Sequence, residues 1–342
     1  MKTRFLSAAA LALICFFGKA QDDNPGTYMD KVNKPLADVN QKYMSYISAS
    51  SHGSVRKAER KRQLMMDQID KSELAISQLP YYKGDKDLQQ SAMAYLKLVA
   101  DMENENYSKI VNLEEISEQS YDNMEAYILL KKKVAEKMEE ASAVQYKSQE
   151  DFAKKNNITL IKNETEMSQN MKKMSAVMDY QEKLYLIFFK CNIQETDMMK
   201  AIEKQDVTAV EQLKNAMVKY ADEGLEKLDT TKAYESDGTL KAACKKALEF
   251  FKKEGDKVAI TTDYFMKTEA FGQIKKSFET NPSAKNDKNE IDKYNKAVKE
   301  MNVAVNNYNQ NNQTLNQNRH EAYDNWNNTQ KSFLDTHVPY VN

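Results

Sequence analysis

The stretch Ile291 to Phe333, IDKYNKAVKEMNVAVNNYNQNNQTLNQNRHEAYDNWNNTQKSF, decides the fold class. Ile291, Tyr294, Val298, Met301, Val305, Tyr308, Asn312, Leu315, Arg319, Ala322, Trp326, Thr329 and Phe333 follow one another in alternating steps of three and four. On a helix those steps keep every one of them on a single stripe, the pattern of a coiled-coil seam. No glycine or proline interrupts the run. A helix of this length can bury such a stripe only lengthwise against other helices. The expected fold is therefore all-α, an elongated multi-helix bundle of long antiparallel helices with coiled-coil-like packing.

The remainder of the chain agrees. Only 8 Gly and 5 Pro occur in 342 residues, against average usages of roughly 7 % and 5 %. Few turns can be built, so the elements between them must be long. Apolar spacing is helical throughout, with no strand-like alternation. It predicts helices over 28–50, bent or broken near its start by Pro35, and over 54–78 with Ser54 as N-cap. Others follow from Asp85 or Asp87 to 118, and over 120–154, 159–204, 206–228 with Asp206 as cap, and 239–278, the last interrupted at Gly255 or Gly272. No internal repeat of constant period is apparent.

The first twenty residues have a different character. Lys2 and Arg4 precede an apolar run from Phe5 to Phe17, and Gly18-Lys19-Ala20 follows. This is the pattern of a secretory signal peptide cleaved after Ala20, its apolar core too short to span a bilayer. Residues 1–20 are thus expected to be a leader and 21–342 a single helical-bundle domain, with 21–155 and 156–342 as sub-bundles. Ile14 stands before Cys15 where a lipoprotein signal requires a small residue, which favours a soluble exported product in the periplasm or at the cell surface. No transmembrane helix is expected once the leader is removed. The formal net charge of −1, with signs mixed along the chain, gives no footprint for nucleic acid.

One block stands out against this background. Arg56-Lys57-Ala58-Glu59-Arg60-Lys61-Arg62 holds three of the four arginines beyond the leader, although lysine supplies nearly all positive charge elsewhere. Arg56 and Lys57 also fall in a first helical turn, where the macrodipole disfavours cations. Guanidinium groups bind phosphates and carboxylates in a bidentate manner that lysine cannot copy. Arg56, Lys57, Arg60, Lys61 and Arg62 are therefore candidates to contact an anionic envelope component: a protein face, a glycan or a lipid headgroup. The alternative is a solvated basic face answering acidic residues on a neighbouring helix.

Asn312 and Arg319 occupy seam positions, where a polar residue sets register and a buried arginine must meet a carboxylate. With Lys190, His320 and Asp324 they outline an inter-helix polar site. Met167, Met171, Met174 and Met178 form a stripe that reads as core filler, with soft-metal binding a remote alternative. Cys191 and Cys244 would be allowed to pair in an oxidising compartment; otherwise Cys191, beside Phe188 and Phe189, is a small buried hydrophobe. The three histidines, His52, His320 and His337, stand in no recognised arrangement and there is no glycine-rich phosphate loop. No catalytic residue, metal site or cofactor is expected.

Three segments carry a resemblance: the block His52 to Arg62, the run Leu184-Tyr185-Leu186-Ile187-Phe188-Phe189-Lys190 continuing to Gln194-Glu195, and Trp326 with Phe333-Leu334 and His337-Val338-Pro339. Together they resemble an uncharacterised family of bacterial envelope or surface proteins. The resemblance implies an exported all-helical protein with no catalytic residues to carry over. Composition and resemblance together suggest a non-enzymatic helical binding or scaffolding protein of the cell envelope. The alternative is a periplasmic protein binding a small ligand or metal between helices near Lys190, Arg319 and His320.

Overall fold

The computed structural model describes residues 24–52, 55–117, 119–161 and 165–341. The leader Met1 to Ala20 and the proposed N-cap Ser54 lie outside the described residues. Within them the chain is all-α: α1 (Pro25–His52), α2 (Val55–Ser77), α3 (Asp87–Ser117), α4 (Tyr121–Lys155), α5 (Glu166–Glu203), α6 (Val207–Thr230), α7 (Thr239–Thr280) and α8 (Lys288–His337), with a 3₁₀ turn over Ala284–Asn286. None of these helices is long and apolar enough to cross a membrane.

Local chemistry explains most helix ends. The hydroxyl of Ser120 accepts the Asn123 N–H at 3.2 Å and opens α4. Asn157, in the left-handed region at φ 55°, closes it while Ile158 N–H reaches back to the Ala153 carbonyl at 2.8 Å. Gln205 closes α5 in the same way, with Asp206 N–H on the Ala201 carbonyl at 3.0 Å. These are Schellman-type endings, which satisfy carbonyls that have lost their helical donors. Asp206 then caps α6 through the Ala209 N–H.

Two expected interruptions, a break at Pro35 and one at Gly255 or Gly272, are absent. α1 runs unbroken through Pro35, whose carbonyl accepts the Ser72 hydroxyl of α2 at 3.0 Å. α7 continues through both Gly255 and Gly272. Gly255 serves close approach rather than a break: a Cβ built there would lie 2.3 Å from Val218 Cγ2 on α6.

By contacts the described chain divides into two compact units, one running to Glu182 and including the residues from Lys331 on, the other Lys183–Gln330. The division falls inside α5 and α8. In the first unit α1 to α4 enclose Met29, Val32, Met65, Ile69, Leu88, Leu96 and Phe152, all at most 2 % exposed. The start of α5 joins this unit through Lys131, which pairs with Glu182, and Ser51, whose hydroxyl lies 3.8 Å from Met178 Sδ. The second unit has its own core, in which Phe188 of α5 stacks on Trp326 of α8 at 4.7 Å and packs beside Phe251 of α7.

The structure also contains an internal repeat that the sequence reading did not find. Tyr82 bridges to Asp85 before α3, and Tyr234 bridges to Asp237 before α7. In both turns the two intervening residues are left-handed, Lys83 and Gly84 in one, Glu235 and Ser236 in the other. Asp85 Oδ1 then accepts the Asp87 N–H at 3.0 Å, and Asp237 Oδ1 the Thr239 N–H at 2.8 Å. Even the capping of the preceding helix is shared, for Gln89 donates to the Leu79 carbonyl and Lys241 to the Thr231 carbonyl. Each partner lies 152 positions beyond the other. The same offset relates buried residues on three helices: Val32 and Leu184, Leu36 and Phe188, Met65 and Met217, Ile76 and Leu228, Ala92 and Cys244, Val99 and Phe251. Tyr28 packs on Phe152 and its equivalent Tyr180 on Phe333, which extends the match to α4 and α8. The chain is a tandem of one four-helix unit, α1 to α4 and α5 to α8. The repeat escapes a reading of sequence because core identities changed while their burial did not.

Gly255 and Gly272 give a direct test of this packing. Gly272→Ala, with nothing within 4 Å of the added Cβ, should stabilise by about 0.5–1 kcal/mol through helix propensity. Gly255→Ala should instead destabilise by about 1–2 kcal/mol, because overlap with the stiff Val218 outweighs that gain. Urea denaturation of both variants measures the difference.

Candidate functional site

The helical start of α2 divides the basic block. Arg62 turns inward, its side chain 12 % exposed, and holds Glu59 in a bidentate pair, Nε to Oε2 at 3.0 Å and Nη2 to Oε1 at 3.1 Å. It also faces Glu103 of α3, whose carboxyl burial pushes up to about 7 against the opposing pull of Arg62. Arg62 is thus the member that answers acidic neighbours. Lys61 is half-buried, while Arg56, Lys57 and Arg60 are exposed. Arg56 and Arg60 lie one helical turn apart and make no ion pair among the described residues. Two cations so placed repel one another, and both sit near the positive end of the α2 dipole.

The residues of the expected inter-helix site are not brought together. Lys190 pairs with Glu223 at 3.3 Å and lies over the Tyr220 ring at 4.1 Å. His320 is exposed and paired with Asp324 along its own helix at 3.2 Å. Asn312 is only half-buried; in the first half of α8 the buried residues are Ala297, Ala304 and Asn311, one residue to the side of the expected seam, whereas farther along Leu315, Trp326 and Phe333 of that seam are themselves buried. The small alanine side chains admit close packing there, and three residues per two turns face the core, not two. Asn311, not Asn312, is the buried polar residue of this stripe, its amide 3.4 Å from the Lys257 carbonyl.

Arg319 is the exception. It meets two carboxylates, Nε on Glu195 Oε1 from α5 and Nη2 on Glu254 Oε1 from α7, while Nη1 donates to Asn316 at 2.5 Å. Glu195 and Glu254 are 3 % and 1 % exposed. The Tyr323 hydroxyl lies within hydrogen-bond reach of both Glu195 Oε2 and Asn192 Oδ1, and its single proton serves one acceptor at a time. Burial, with Glu195 beside it, pushes the Glu254 carboxyl up to about 8. Burial and the Glu195 charge also hold the Tyr323 phenol well above its ordinary value. Although burial works against its charge, Arg319 is kept protonated by both glutamates. Glu195 and Glu254 could have been noticed in the sequence. Each stands at a stripe position otherwise apolar: Phe188, Cys191, Glu195 and Met198 on α5, and Ala247, Phe251, Glu254 and Val258 on α7.

The methionine stripe belongs to the core. Met171 and Met174 are buried, and Met44, Met167, Tyr43 and Val341 pack with Met171. Cys191 and Cys244 are free, not bridged, and both are buried. Burial pushes the Cys191 thiol up to about 12 and Cys244 higher still, so both are inert as nucleophiles at neutral pH. Among the described residues no cluster of three or more His, Cys, Asp or Glu is placed to hold a metal.

Compared with protein-family models, curated proteins and solved structures, the chain matches none.

Two outcomes follow from these placements. Arg62→Ala should cost about 1 kcal/mol, since it removes the bidentate pair with Glu59 and the attraction that opposes burial of the Glu103 carboxylate, whereas the double change Arg56→Glu, Arg60→Glu should alter stability by less than about 0.5 kcal/mol. Denaturant titration distinguishes them. A thiol reagent applied without reductant should label neither cysteine in the native protein and both after unfolding, as read by intact mass.

Proposed function

We propose that this chain is an exported, non-enzymatic helical binding or scaffolding protein of the bacterial cell envelope, engaging an anionic partner through Arg56, Lys57 and Arg60. The observation that carries the reading is the exposed pair Arg56 and Arg60, one turn apart at the positive end of α2. Repulsion between like charges works against the pair, and the helix dipole against Arg56 in the first turn. An anionic group would reverse both terms, and guanidinium forks suit phosphate or carboxylate oxygens. The inward turn of Arg62 sharpens the proposal, because it removes from the binding face the one arginine that serves packing. Residues 1–20 support export by their charge, apolar core and small residues before the cleavage point. The resemblance to bacterial envelope proteins points the same way.

The test is cross-linking in intact cells with mass spectrometry of what is trapped. The native chain is run beside the double variant Arg56→Glu, Arg60→Glu, with Arg62 left in place to preserve the fold. A defined partner captured by the native chain and lost from the variant is the expected result. An identical catch from both, or none from either, would overturn the reading.

A further inference from the structure

The cluster of Glu195, Glu254 and Arg319 has an imbalance that the fold does not require. Two buried carboxylates face one guanidinium, and Glu254 Oε2 is buried without a hydrogen-bond partner. Fully ionised, the three groups leave one negative charge that solvent cannot reach, a costly arrangement in a packed interior. A single proton held by the two glutamates removes it.

The tandem repeat supplies the control. At the positions equivalent to Glu195 and Glu254 the first copy has Tyr43 and Met102. Arg319 lies 14 residues before Phe333, and Met138 lies 14 before the matching Phe152. The same scaffold therefore folds in the first copy with Tyr43, Met102 and Met138 filling this place, Met102 and Met138 at 6 % and 7 % exposure. Only Asn40, equivalent to Asn192, is kept, and it too accepts a tyrosine hydroxyl, that of Tyr95 at 3.1 Å. Buried ionic groups often stabilise no better than apolar ones of similar volume. Their presence in one copy alone marks a chemical task.

We propose that this cluster is a proton-binding site, in which Glu195 and Glu254 share one proton beside Arg319 and whose deprotonation loosens the Lys183–Gln330 unit. On deprotonation the carboxylic acid gives its proton to solvent base, and two carboxylates are left facing Arg319. The groups that face Glu254 are Glu195 from α5 and Arg319 and Tyr323 from α8. On the α6 side its neighbour Gly255 packs on Val218, and Lys214 there is paired with Glu211.

The sign follows from linkage. The folded state holds the proton up to about pH 8, while an unfolded glutamate releases it near its ordinary value of about 4.3. Stability from this site is therefore complete below the unfolded value and is lost as pH rises through the folded one. The proposal shares no residue with the basic face of α2 and stands apart from it.

Trp326, the one tryptophan of the chain, is buried against Phe188 in this unit, and Phe188 also packs on Tyr323. Its fluorescence therefore reports on this core in the full-length protein. Between pH 6 and 9 the native chain should show a red shift of Trp326 emission and a fall in Tm of about 5 °C. Glu254→Gln, which mimics the protonated acid, should flatten the emission profile and lessen the fall in Tm, part of which belongs to Glu103 in the first unit. Profiles that match between native and variant would overturn the proposal. Carboxyl ¹³C titration of Glu254 in the unmodified chain provides a test independent of any variant: a midpoint above pH 7 supports the site, and one below pH 7 overturns it.

Discussion

Lengthwise burial of amphipathic stripes is the constraint on which this molecule depends. With so few glycines and prolines the chain cannot turn often, and each long helix carries an apolar face that must be covered along its length. The turns that do occur are correspondingly specific. Before α3 and again before α7, a tyrosine, two left-handed residues and an aspartate form the same reversal, and the aspartate starts the next helix. Glu235 and Ser236 adopt conformations more natural to glycine, and the paired backbone hydrogen bonds between Tyr234 and Asp237 hold the second turn.

The tandem repeat lets one copy serve as a physical reference for the other. Where both have apolar residues at equivalent buried positions, those residues fill space. Where the second copy alone is charged, as at Glu195, Glu254 and Arg319, the fold itself has already shown that tyrosine and methionine suffice. The charged cluster is nonetheless tightly connected. Arg319 reaches both glutamates, and the Tyr323 hydroxyl lies within reach of Glu195 and of Asn192. A connected polar network specifies one arrangement strongly, and the low dielectric around it makes any unanswered charge costly. Those two properties together are what make its protonation state consequential for the packing around Trp326 and Phe188.

The two arginine sites obey opposite rules. Arg319 is half-buried and pairs with two buried glutamates, so its chemistry is internal. Arg56 and Arg60 are exposed, adjacent and opposed by the helix dipole, so any favourable partner must come from outside. Arg62 lies between these cases, half committed to Glu59 and Glu103. A single cationic block in the sequence thus resolves into one structural and several outward-facing members.

Helix number, order and approximate ends were legible in the amino-acid sequence, because three- and four-residue spacing and the scarcity of turn residues act locally. So was the need of a seam arginine for a carboxylate, since an unpaired interior charge is excluded on energetic grounds alone. The sequence could not say which carboxylates, because Glu195 and Glu254 lie far from Arg319 along the chain and were two among many acids. Nor could it bury Asn311 and leave Asn312 half-exposed, or turn Arg62 inward and leave Arg60 outside. Those differences amount to rotations of a helix about its axis, to which spacing is nearly blind. Pro35, Gly255 and Gly272 read as breaks because local propensity disfavours them in helices; packing across α1, α2, α6 and α7 overrode it. The internal repeat was settled only in three dimensions, where burial and hydrogen bonding persist at equivalent positions after the side chains themselves have changed.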